Sequence, residues 1–253
     1  MNSSRAEAAP RPSVANRAYI ALAGRHPDLR RWHFQWLAGQ PLYESLRPLL
    51  AAVRGDVLDV GCGDKPYAGW MSGANRHFGI DVVDGPEVDA VIDPAGSWPV
   101  VDEEFDVVLC TQVLEHVGDL ELTLRELVRS VRPGGEVIVT VPFIFHEHNS
   151  PHDYRRFSRH GARSLLDDDF EVLAVHAQGG AGSTLGAIAL GWVQDSARTS
   201  RARMLAFGAL LPLWLLVCLV VNVLGGLLDR VDPTGLFYGN VLVHARRPER
   251  APV

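Results

Sequence analysis

The middle of the chain alternates short apolar runs with longer segments of helical periodicity. Residues 56–60 form one such run and lead into Gly61-Cys62-Gly63, as expected for a buried parallel strand that enters a tight turn. Similar runs occur at 76–82, 88–92, 105–110, 136–141, 170–176 and 238–244. Residues 120–131 have a helical pattern, and an Arg-Pro-Gly-Gly turn at 132–135 ends it. Strands alternating with helices predict an α/β fold with a doubly wound, mostly parallel sheet.

The amino-terminal region has a different pattern. Residues 1–18 begin with a stretch rich in Ser, Ala, Pro and Arg, and we expect a disordered lead-in. Residues 19–53 have apolar and aromatic positions at helical spacing and are predicted to form a helical cap. Gly39 and Pro41 are expected to divide this cap into two helices. The α/β domain is then predicted to occupy residues 54–253.

Composition and charge exclude some classes of protein. The chain is 47% hydrophobic and 21% charged, which is typical of a folded domain rather than a disordered one. A net charge of -6 argues against a nucleic-acid partner, because binding to phosphates normally requires a basic surface. The three cysteines, Cys62, Cys110 and Cys218, have neither disulfide-framework nor metal-ligand spacing, which favours a reducing compartment.

The glycine turn after the first predicted strand carries the most information about a ligand. A dinucleotide-binding turn needs Gly or Ala three residues after its second glycine, and this chain has Pro66 there. Asp59 and Asp64 flank the turn and would repel a pyrophosphate, whereas they suit a ligand with cationic groups. Asp81 ends the next predicted strand, where it can accept hydrogen bonds from ribose hydroxyls. These residues predict a nucleoside ligand without phosphates.

Four stretches carry a resemblance to a known family. Residues 57–63 (VLDVGCG) look like motif I of the class I methyltransferases that use S-adenosylmethionine (SAM). Residues 105–108 and 113–117 (FDVV and VLEHV) resemble the fourth-strand region of the methyltransferase type 11 subgroup, and residues 131–135 (VRPGG) match its turn before the fifth strand. The resemblance covers roughly residues 50–180. It implies SAM as cofactor and a Rossmann-like, seven-stranded sheet whose last strand is antiparallel.

The resemblance also implies roles for the residues around the turn. Gly61 and Gly63 would pass beneath the methionine part of SAM, with Asp59 near its amino group. Asp81 would hold the ribose. These four residues would therefore form most of the cofactor site.

Three further residues complete the cofactor site that the resemblance implies. Asp93, at the end of the third predicted strand, would lie beside the adenine amine, and Thr111 and Gln112 would line the methyl-donor end. Asp93 has a second interpretation as a simple turn residue before Pro94.

The segment after the fifth predicted strand is the candidate catalytic region. It is rich in His, and a hydroxyl acceptor often needs a base to remove its proton. We predict that His146 or His148 is this base, with packing and loop hydrogen bonds as the alternative. A metal site formed by these two residues with His152 and Asp153 is the less favoured interpretation, because no cysteine or further carboxylate cluster accompanies them. No metal is therefore expected.

Other polar and aromatic groups have structural interpretations. Glu115 and His116 are expected to support the fold rather than to catalyse. In the family that the chain resembles, a stretch like 153–157 helps to fix this loop. The aromatic-rich segment 32–36 is predicted either to roof the acceptor pocket or to pack between helices.

One long apolar run lies near the carboxyl terminus. Residues 204–228 contain no charged residue, a length that can cross a bilayer as a helix. Three arginines precede this run and suit an anionic membrane surface: Arg198, Arg201 and Arg203. A full crossing would separate the predicted strand 238–244 from the rest of the sheet. Pro212, Asn222 and Gly225-Gly226 also suggest a bent element.

The favoured interpretation is a hydrophobic helical insertion before the last strand that dips into the cytoplasmic leaflet. A soluble helix buried against the domain or a dimer partner, and a true membrane span, are the alternatives. The expected location is the cytoplasm, at the cytoplasmic face of the membrane, with peripheral contact through 204–228. The sequence does not determine the oligomeric state.

The predicted function is SAM-dependent methyl transfer to a small-molecule or lipid-linked acceptor, with oxygen favoured over nitrogen or carbon. One alternative is a membrane-attached binding or scaffold protein that keeps the fold without turnover. A nicotinamide-dependent oxidoreductase on a similar sheet is disfavoured by Pro66 and by the acids that flank the glycine turn.

Overall fold

The structure is a computed structural model, and it describes residues 14–250. The helices of the described chain are α1 (Val14–Ala23), α2 (Trp36–Ala52), α3 (Leu120–Ser130), α4 (Arg159–Ser164), α5 (Ala181–Arg198), α6 (Arg201–Ala209) and α7 (Leu211–Val231). The strands are β1 (Gly24–Arg25), β2 (Asp28–Leu29), β3 (Gly55–Val60), β4 (Ala74–Asp81), β5 (Ala90–Val91), β6 (Phe105–Thr111), β7 (Val131–Pro142), β8 (Glu171–Gln178) and β9 (Asn240–Arg246).

Strands β3 to β9 form one seven-stranded sheet in the order β5-β4-β3-β6-β7-β9-β8. Strand β9 runs antiparallel to both of its neighbours, β7 and β8, whereas the pairs formed among β3 to β7 are parallel. The prediction of a mostly parallel, seven-stranded sheet with a reversed last strand is confirmed. The strand order reverses between β3 and β6, and ligands of open α/β sheets bind at the carboxyl edge of such a point.

The predicted turn at 132–135 lies inside the stretch that forms β7. Val131 pairs with Phe105 and Glu136 pairs with Val107, so four residues of β7 bulge out opposite a single residue of β6. Gly134 has a φ of +77° in this bulge, a conformation that glycine adopts without strain. The pattern therefore predicted the change of direction correctly, and the strand resumes pairing on both sides of it.

The two faces of the sheet bury alternate residues of the same strands. Leu58 of β3 and Val108 of β6 belong to the core beneath α3 and α4, whereas Val57 and Val107 belong to the core beneath α2. Successive side chains of a strand point to opposite faces, so a strand covered on both sides is apolar throughout. This double burial explains why apolar residues occupy positions on both faces of these strands.

The predicted division of the amino-terminal cap at Gly39 and Pro41 is wrong. Helix α2 runs through both residues, and the chain instead turns at the short β1–β2 hairpin. The Tyr43 ring lies where a side chain on residue 39 would be, so Gly39 provides space rather than a break. Burial of one face of α2 outweighs the hydrogen bond lost at Pro41.

The start of the cap also differs from its prediction. Helix α1 begins at Val14, so the expected lead-in is wrong for residues 14–18. The remainder of the lead-in, residues 1–13, lies outside the described residues.

The hydrophobic insertion is longer than predicted and less bent. It consists of α5, α6 and α7, and α7 continues without interruption past Asn222 and Gly225-Gly226. Pro212 lies in the first turn of α7, where its missing N–H costs little. Helix α7 is long and apolar enough to cross a membrane, and most of its apolar window is exposed.

Helices α5 and α7 pack as a closely spaced pair. A side chain on Gly182 of α5 would collide with the carbonyl oxygen of Gly225 in α7, so these two glycines permit the contact. Asp229 and Asp232, at the end of α7, accept hydrogen bonds from the amides of Ser183 (2.9 Å) and Ala181 (3.1 Å) at the start of α5. The carboxyl end of α7 thus stabilises the amino end of α5.

Asn222 connects α7 to the amino-terminal region. Its buried side-chain amide donates hydrogen bonds to the carbonyl oxygens of Arg31 (2.6 Å) and His33 (2.9 Å). Asn222 therefore does not interrupt α7. Its side chain instead joins the helix to the segment that contains Arg31 and His33.

Candidate active site

The glycine turn lies at the carboxyl edge of β3, next to the point where the strand order reverses. Gly61 has a φ of +65°, and a side chain there would collide with Val113. Gly63 has a φ of +49°, but no atom lies within 4 Å of the position that its side chain would take. Gly61 is therefore needed for the turn itself, whereas Gly63 leaves open space on the surface that a ligand would approach.

Asp81 ends β4 and faces this turn, as predicted. Its carboxylate accepts hydrogen bonds from the amide of Gly63 (2.9 Å) and from the amide of Val83 (3.1 Å). The side chain is thereby held at the turn with a defined orientation. This position is suitable for accepting hydrogen bonds from the vicinal hydroxyls of a ribose.

Asp59 lies beneath the turn rather than on its surface. Asp59 is only 2% exposed, and its Oδ2 is 2.8 Å from Nε2 of His77 on β4. Burial raises the pKa of Asp59, and the contact with His77 opposes that rise. Sequence reasoning did not identify His77, whose partner becomes evident only when β3 and β4 pair.

Thr111 and Gln112 follow at the end of β6. Gln112 has a φ of +55°, which is unusual for a residue with a side chain and costs conformational energy. Its amide donates to the carbonyl oxygen of Thr140 (2.8 Å) and its Nε2 to Oγ1 of the same residue (3.2 Å). Strained backbone that neighbouring hydrogen bonds hold in place is typical of functional sites.

Asp93 is exposed, in the loop after β5. Its Oδ1 accepts a hydrogen bond from the amide of Ala95 (2.9 Å), which is the turn that the second interpretation described. The amide of Ile92 donates to the carbonyl oxygen of Asp81 (2.9 Å), so the loop stays near the predicted ribose site. Contact of Asp93 with an adenine stays a prediction.

The two histidines predicted as bases have different surroundings. Nε2 of His146 is 3.5 Å from Asp195 of α5, and its Nδ1 is buried without a hydrogen-bond partner. Nε2 of His148 is 3.1 Å from Nε2 of His116, and burial lowers the pKa of His148. The structure therefore separates the two side chains: His146 turns towards the insertion, and His148 turns towards the loop after β6.

The metal-binding alternative grouped the wrong residues. His152 is not part of a ligand cluster with His146 and His148, and its Nδ1 is instead 3.0 Å from the hydroxyl of Tyr154. The structure places His148 together with Glu115 and His116, whose potential ligand atoms all lie within 4.8 Å of one another. Glu115 is fully buried, and this burial raises its pKa to about 7. Sequence reasoning assigned Glu115 and His116 only to fold support.

The stretch 153–157 fixes the loop after β7 to the loop after β6. Asp153 accepts hydrogen bonds from both guanidinium nitrogens of Arg156 (2.6 and 2.7 Å) and from the amide of His148 (2.8 Å). The Arg156 guanidinium holds the pKa of Asp153 well below its usual range. The amide of Tyr154 donates to the carbonyl oxygen of Glu115 (2.8 Å). These bonds agree with the role that the resemblance implies.

A small depression at the same edge of the sheet is the candidate acceptor pocket. Its lining includes Leu37, Phe145, Gln178 and Thr184, from α2, the loop after β7, the end of β8 and α5. The side-chain amide of Gln178 and the hydroxyl of Thr184 are buried without hydrogen-bond partners. Buried polar groups of this kind usually have a partner, so an ordered water is expected there.

The aromatic segment 32–36 does not roof this pocket as a unit. Trp32 and Phe34 pack against the cluster formed by α1, α5 and α7, and the indole of Trp32 donates to the carbonyl oxygen of Leu22 (2.8 Å). Helix packing is therefore the better interpretation of these two side chains. A larger cavity of about 260 Å³ lies at the opposite, amino-terminal edge of β6 and β7 and is remote from the glycine turn.

The chain is similar to known proteins in sequence and in fold. The family model described as a methyltransferase domain matches residues 35–175, more than half of the chain. A probable SAM-dependent methyltransferase of Mycobacterium tuberculosis is 29% identical over 151 residues, which cover 55% of this chain and 54% of that protein. A ubiquinone biosynthesis O-methyltransferase of Pseudomonas fluorescens is 36% identical over 97 residues, 32% of this chain and 41% of that protein.

The crystal structure of the [4+2]-cyclase SpnF superposes with a TM-score of 0.55 at 20% identity, covering 83% of this chain and 84% of that one. At this identity the likeness shows the fold alone. The chain spans about half the length of the curated relatives it matches.

The fold and the glycine turn are those of the class I methyltransferases that use SAM. The chain belongs to the methyltransferase-domain family. The resemblance noted in the sequence is thereby confirmed. The family match ends at residue 175, before α5 begins, so the insertion α5–α7 lies outside it.

Proposed function

We propose that the protein transfers the methyl group of SAM to a small-molecule or lipid-linked acceptor, with a hydroxyl oxygen as the favoured target. The observation that carries this proposal is the pair formed by Gly63, which leaves open space at the turn, and Asp81, whose carboxylate faces it. Asp81 would accept hydrogen bonds from the ribose hydroxyls of a nucleoside placed there, and that nucleoside would need no phosphate groups. The name of the Mycobacterium tuberculosis relative supports SAM as that ligand.

Methyl transfer from a sulfonium is an in-line displacement, in which the acceptor atom attacks the methyl carbon and the thioether leaves. Much of the rate can come from positioning the two reactants. Gln112 and Thr111 lie beside the expected donor end, and the depression lined by Gln178 and Thr184 lies at the same edge of the sheet. His148 and His146 are the candidate bases for a hydroxyl acceptor.

The name of one relative supports the preference for oxygen. The Pseudomonas fluorescens relative is named as an O-methyltransferase of ubiquinone biosynthesis, but the similarity covers only 32% of this chain. The acceptor class therefore rests on the histidines and on the location proposed below.

Membrane association forms the second part of the proposal. Helix α7 buries one face, at Trp214, Cys218, Asn222 and Gly225, and exposes a long apolar stripe on the other. The exposed apolar residues of α7 are Leu213, Leu216, Val217, Val220, Val223, Leu224, Leu227, Leu228 and Val231. An exposed apolar surface of this extent normally has an apolar partner.

Two further observations favour a lipid surface as that partner. Arg198, Arg201 and Arg203 are exposed where α5 leads into α6, and they would attract anionic lipids. Trp192 of α5 is 72% exposed, and Trp is enriched at the boundary between lipid and water. The pairing of β9 with β7 and β8 supports a peripheral insertion rather than a single crossing. The proposed location is the cytoplasmic face of a membrane.

Cofactor binding is tested by calorimetric titration of the purified protein with SAM and S-adenosylhomocysteine. Saturable binding with about one site, weakened by at least about tenfold in Asp81→Ala, is the expected result, because two hydroxyl hydrogen bonds to a carboxylate are lost. Asp84→Ala is the matched control, since this acidic residue is close in sequence and has no assigned role. A folded protein that binds neither compound would refute the proposal and favour the scaffold alternative.

Membrane association is tested by co-sedimentation with vesicles of phosphatidylcholine, with and without phosphatidylglycerol. We expect binding that the anionic lipid strengthens and that added salt weakens. The double variant Leu216→Ser/Leu224→Ser should weaken binding by more than about tenfold, because each leucine withdrawn from lipid costs about 1.5 kcal/mol or more. Val101→Ser, which changes an exposed apolar residue outside the insertion, is the control. Equal binding by all three proteins would contradict this part of the proposal.

A further inference from the structure

We propose that Glu115, His116 and His148 form a binding site for one divalent transition-metal ion, at the carboxyl edge of the sheet. Nε2 of His116 lies 3.1 Å from Nε2 of His148 and 3.7 Å from Oε1 of Glu115. Two nitrogen ligands of a tetrahedral zinc ion lie about 3.3 Å apart, given bond lengths of about 2.0 Å. The two histidine nitrogens are therefore spaced as ligands of a single ion, and the potential ligand atoms of all three residues lie within 4.8 Å of one another.

The contacts of the two Nδ1 atoms determine which nitrogen of each imidazole is free to bind an ion. Nδ1 of His116 is 2.6 Å from the carbonyl oxygen of His152, which can only accept, so Nδ1 carries the proton. Nδ1 of His148 lies 3.3 Å from the carbonyl oxygen of His146 and 3.3 Å from Oδ2 of Asp153, which also accept. Both Nε2 atoms then face each other at 3.1 Å, and one cation, either a proton or a metal ion, must lie between their lone pairs.

Glu115 provides an independent reason to place a cation here. Its side chain is fully buried, and neither of its carboxylate oxygens has a hydrogen-bond partner on another residue. A buried carboxylate without a partner is costly, and buried charges in proteins are paired or bind metals. The carboxylate thus adds a third acceptor beside the two Nε2 atoms, and no hydrogen-bond donor of the cluster pairs with it.

The surroundings of the cluster resemble the support that metal ligands usually have. Asp153, which Arg156 holds from the other side, contacts the ring of His148 and accepts a hydrogen bond from its amide. Carboxylate and carbonyl partners of this kind orient histidine ligands and keep their tautomers fixed. His116 and His148 remain about a quarter exposed, with side-chain exposures of 21% and 28%, so an ion can enter from solvent.

The donor set determines the class of ion. Two imidazoles and one carboxylate suit zinc and other first-row transition metals better than magnesium or calcium, which prefer oxygen ligands. Three protein ligands leave a coordination position open, as in catalytic rather than structural zinc sites. A role in catalysis rests on the proposed methyl transfer: a bound ion would polarise an acceptor hydroxyl, and Nε2 of His148 would then no longer act as a base.

The site is tested by metal binding to the full chain, without SAM or acceptor, so a failure here is separate from a failure of the proposed function. The protein is dialysed against a chelator and titrated with Zn²⁺, and then with Co²⁺ under visible absorption spectroscopy. We expect one ion per chain and d–d bands of low coordination number. His116→Asn and His148→Asn should each weaken affinity by more than about tenfold, and His160→Asn, outside the cluster, should not.

The Co²⁺-loaded wild-type protein gives a second measurement that needs no variant. Two paramagnetically shifted imidazole N–H resonances are expected, one from each Nδ1–H. Glu115→Gln keeps the shape of the buried side chain and should weaken affinity while far-UV circular dichroism stays unchanged. Absence of stoichiometric binding by the wild-type protein, absence of the shifted resonances, or equal affinity in folded His116→Asn and His148→Asn variants would overturn the proposal.

Discussion

Gly61 and Gly63 have similar backbone conformations and different surroundings, and the difference separates folding from binding. Both have positive φ values, but only Gly61 has a neighbour, Val113, in the space of a side chain. Residue 61 must therefore be glycine for the fold, whereas the empty space at residue 63 is available to a ligand. A motif that looks uniform in the sequence contains two distinct physical constraints.

We expect Gly61→Ala to lower the free energy of unfolding by more than about 2 kcal/mol, from left-handed strain and the collision with Val113. Gly63→Ala should lower it by only about 1 kcal/mol, because strain acts alone. Both should weaken SAM binding, Gly63→Ala because its methyl group enters the ligand's space. Urea denaturation and calorimetry measure the two effects; equal stability losses in the two variants would contradict this assignment.

Glu126 of α3 gives a residue-scale prediction for pH. Burial would raise its pKa, but hydrogen bonds from the Arg129 guanidinium and the amide of Trp98 outweigh burial, and the net pKa is lowered. A carboxylate with a lowered folded pKa stabilises the protein above its unfolded pKa of about 4.3, and this contribution is lost as pH falls through the folded pKa.

Glu126→Gln should therefore cost about 1–3 kcal/mol of unfolding free energy at pH 7. The difference between wild type and variant should shrink as pH falls below about 4. Denaturation at several pH values measures it, with Glu121→Gln on the exposed face of the same helix as control. A difference that stays constant down to pH 3 would show that the charge of Glu126 is not responsible.

At the scale of elements, the insertion depends on the close contact between α5 and α7. Gly182 has the carbonyl oxygen of Gly225 and the Cβ atom of Leu228 in its side-chain space, whereas Gly226, one residue further along α7, has no atom within 4 Å. The contact is therefore specific to one face of α7. The opposite face carries the apolar stripe proposed to meet lipid.

Gly182→Ala should lower the free energy of unfolding by about 1–3 kcal/mol, since the backbone of α7 must move. Gly226→Ala should instead raise it by about 0.5–1 kcal/mol, because alanine favours a helix interior. Thermal and urea denaturation of both variants provide the measurement. Destabilisation by both substitutions to the same extent would contradict the packing described here.

At the scale of the whole molecule, the insertion and the sheet are joined at several points. Asn222 binds the carbonyl oxygens of Arg31 and His33, and the chain leaving α7 returns as β9 between β7 and β8. A connection of residues 232–239 joins the end of α7 to the start of β9. A change in the insertion should be transmitted to the sheet that carries the candidate site.

We expect a single unfolding transition, in which tryptophan fluorescence and far-UV circular dichroism coincide. S-adenosylhomocysteine at about 100 times its dissociation constant should stabilise that transition by about 2.7 kcal/mol. Trp214→Phe, which removes a buried fluorophore of α7, shows whether the insertion reports the same transition. A separate early transition that the ligand does not shift would show that α5–α7 unfolds independently.

The sequence predicted the sheet and the cofactor edge well, because both depend on local patterns. Residues 57–58 and 107–110 bury apolar side chains on both faces of the sheet, and a glycine turn at the end of a strand has few alternative conformations. Asp81 could be placed at the turn because adjacent parallel strands end at the same edge. The reversed last strand followed from the resemblance, not from periodicity.

What the sequence by itself determined was therefore the strands, their α/β order and the acidic residue that faces the glycine turn. Only the tertiary structure showed that Glu115 and His116 meet His148, because these residues are about thirty positions apart and two different strands bring their loops together. It also decided that α2 continues through Pro41 and α7 through Asn222. Burial and hydrogen bonds to distant segments outweigh local helix propensity there, and such contacts leave no local pattern to recognise.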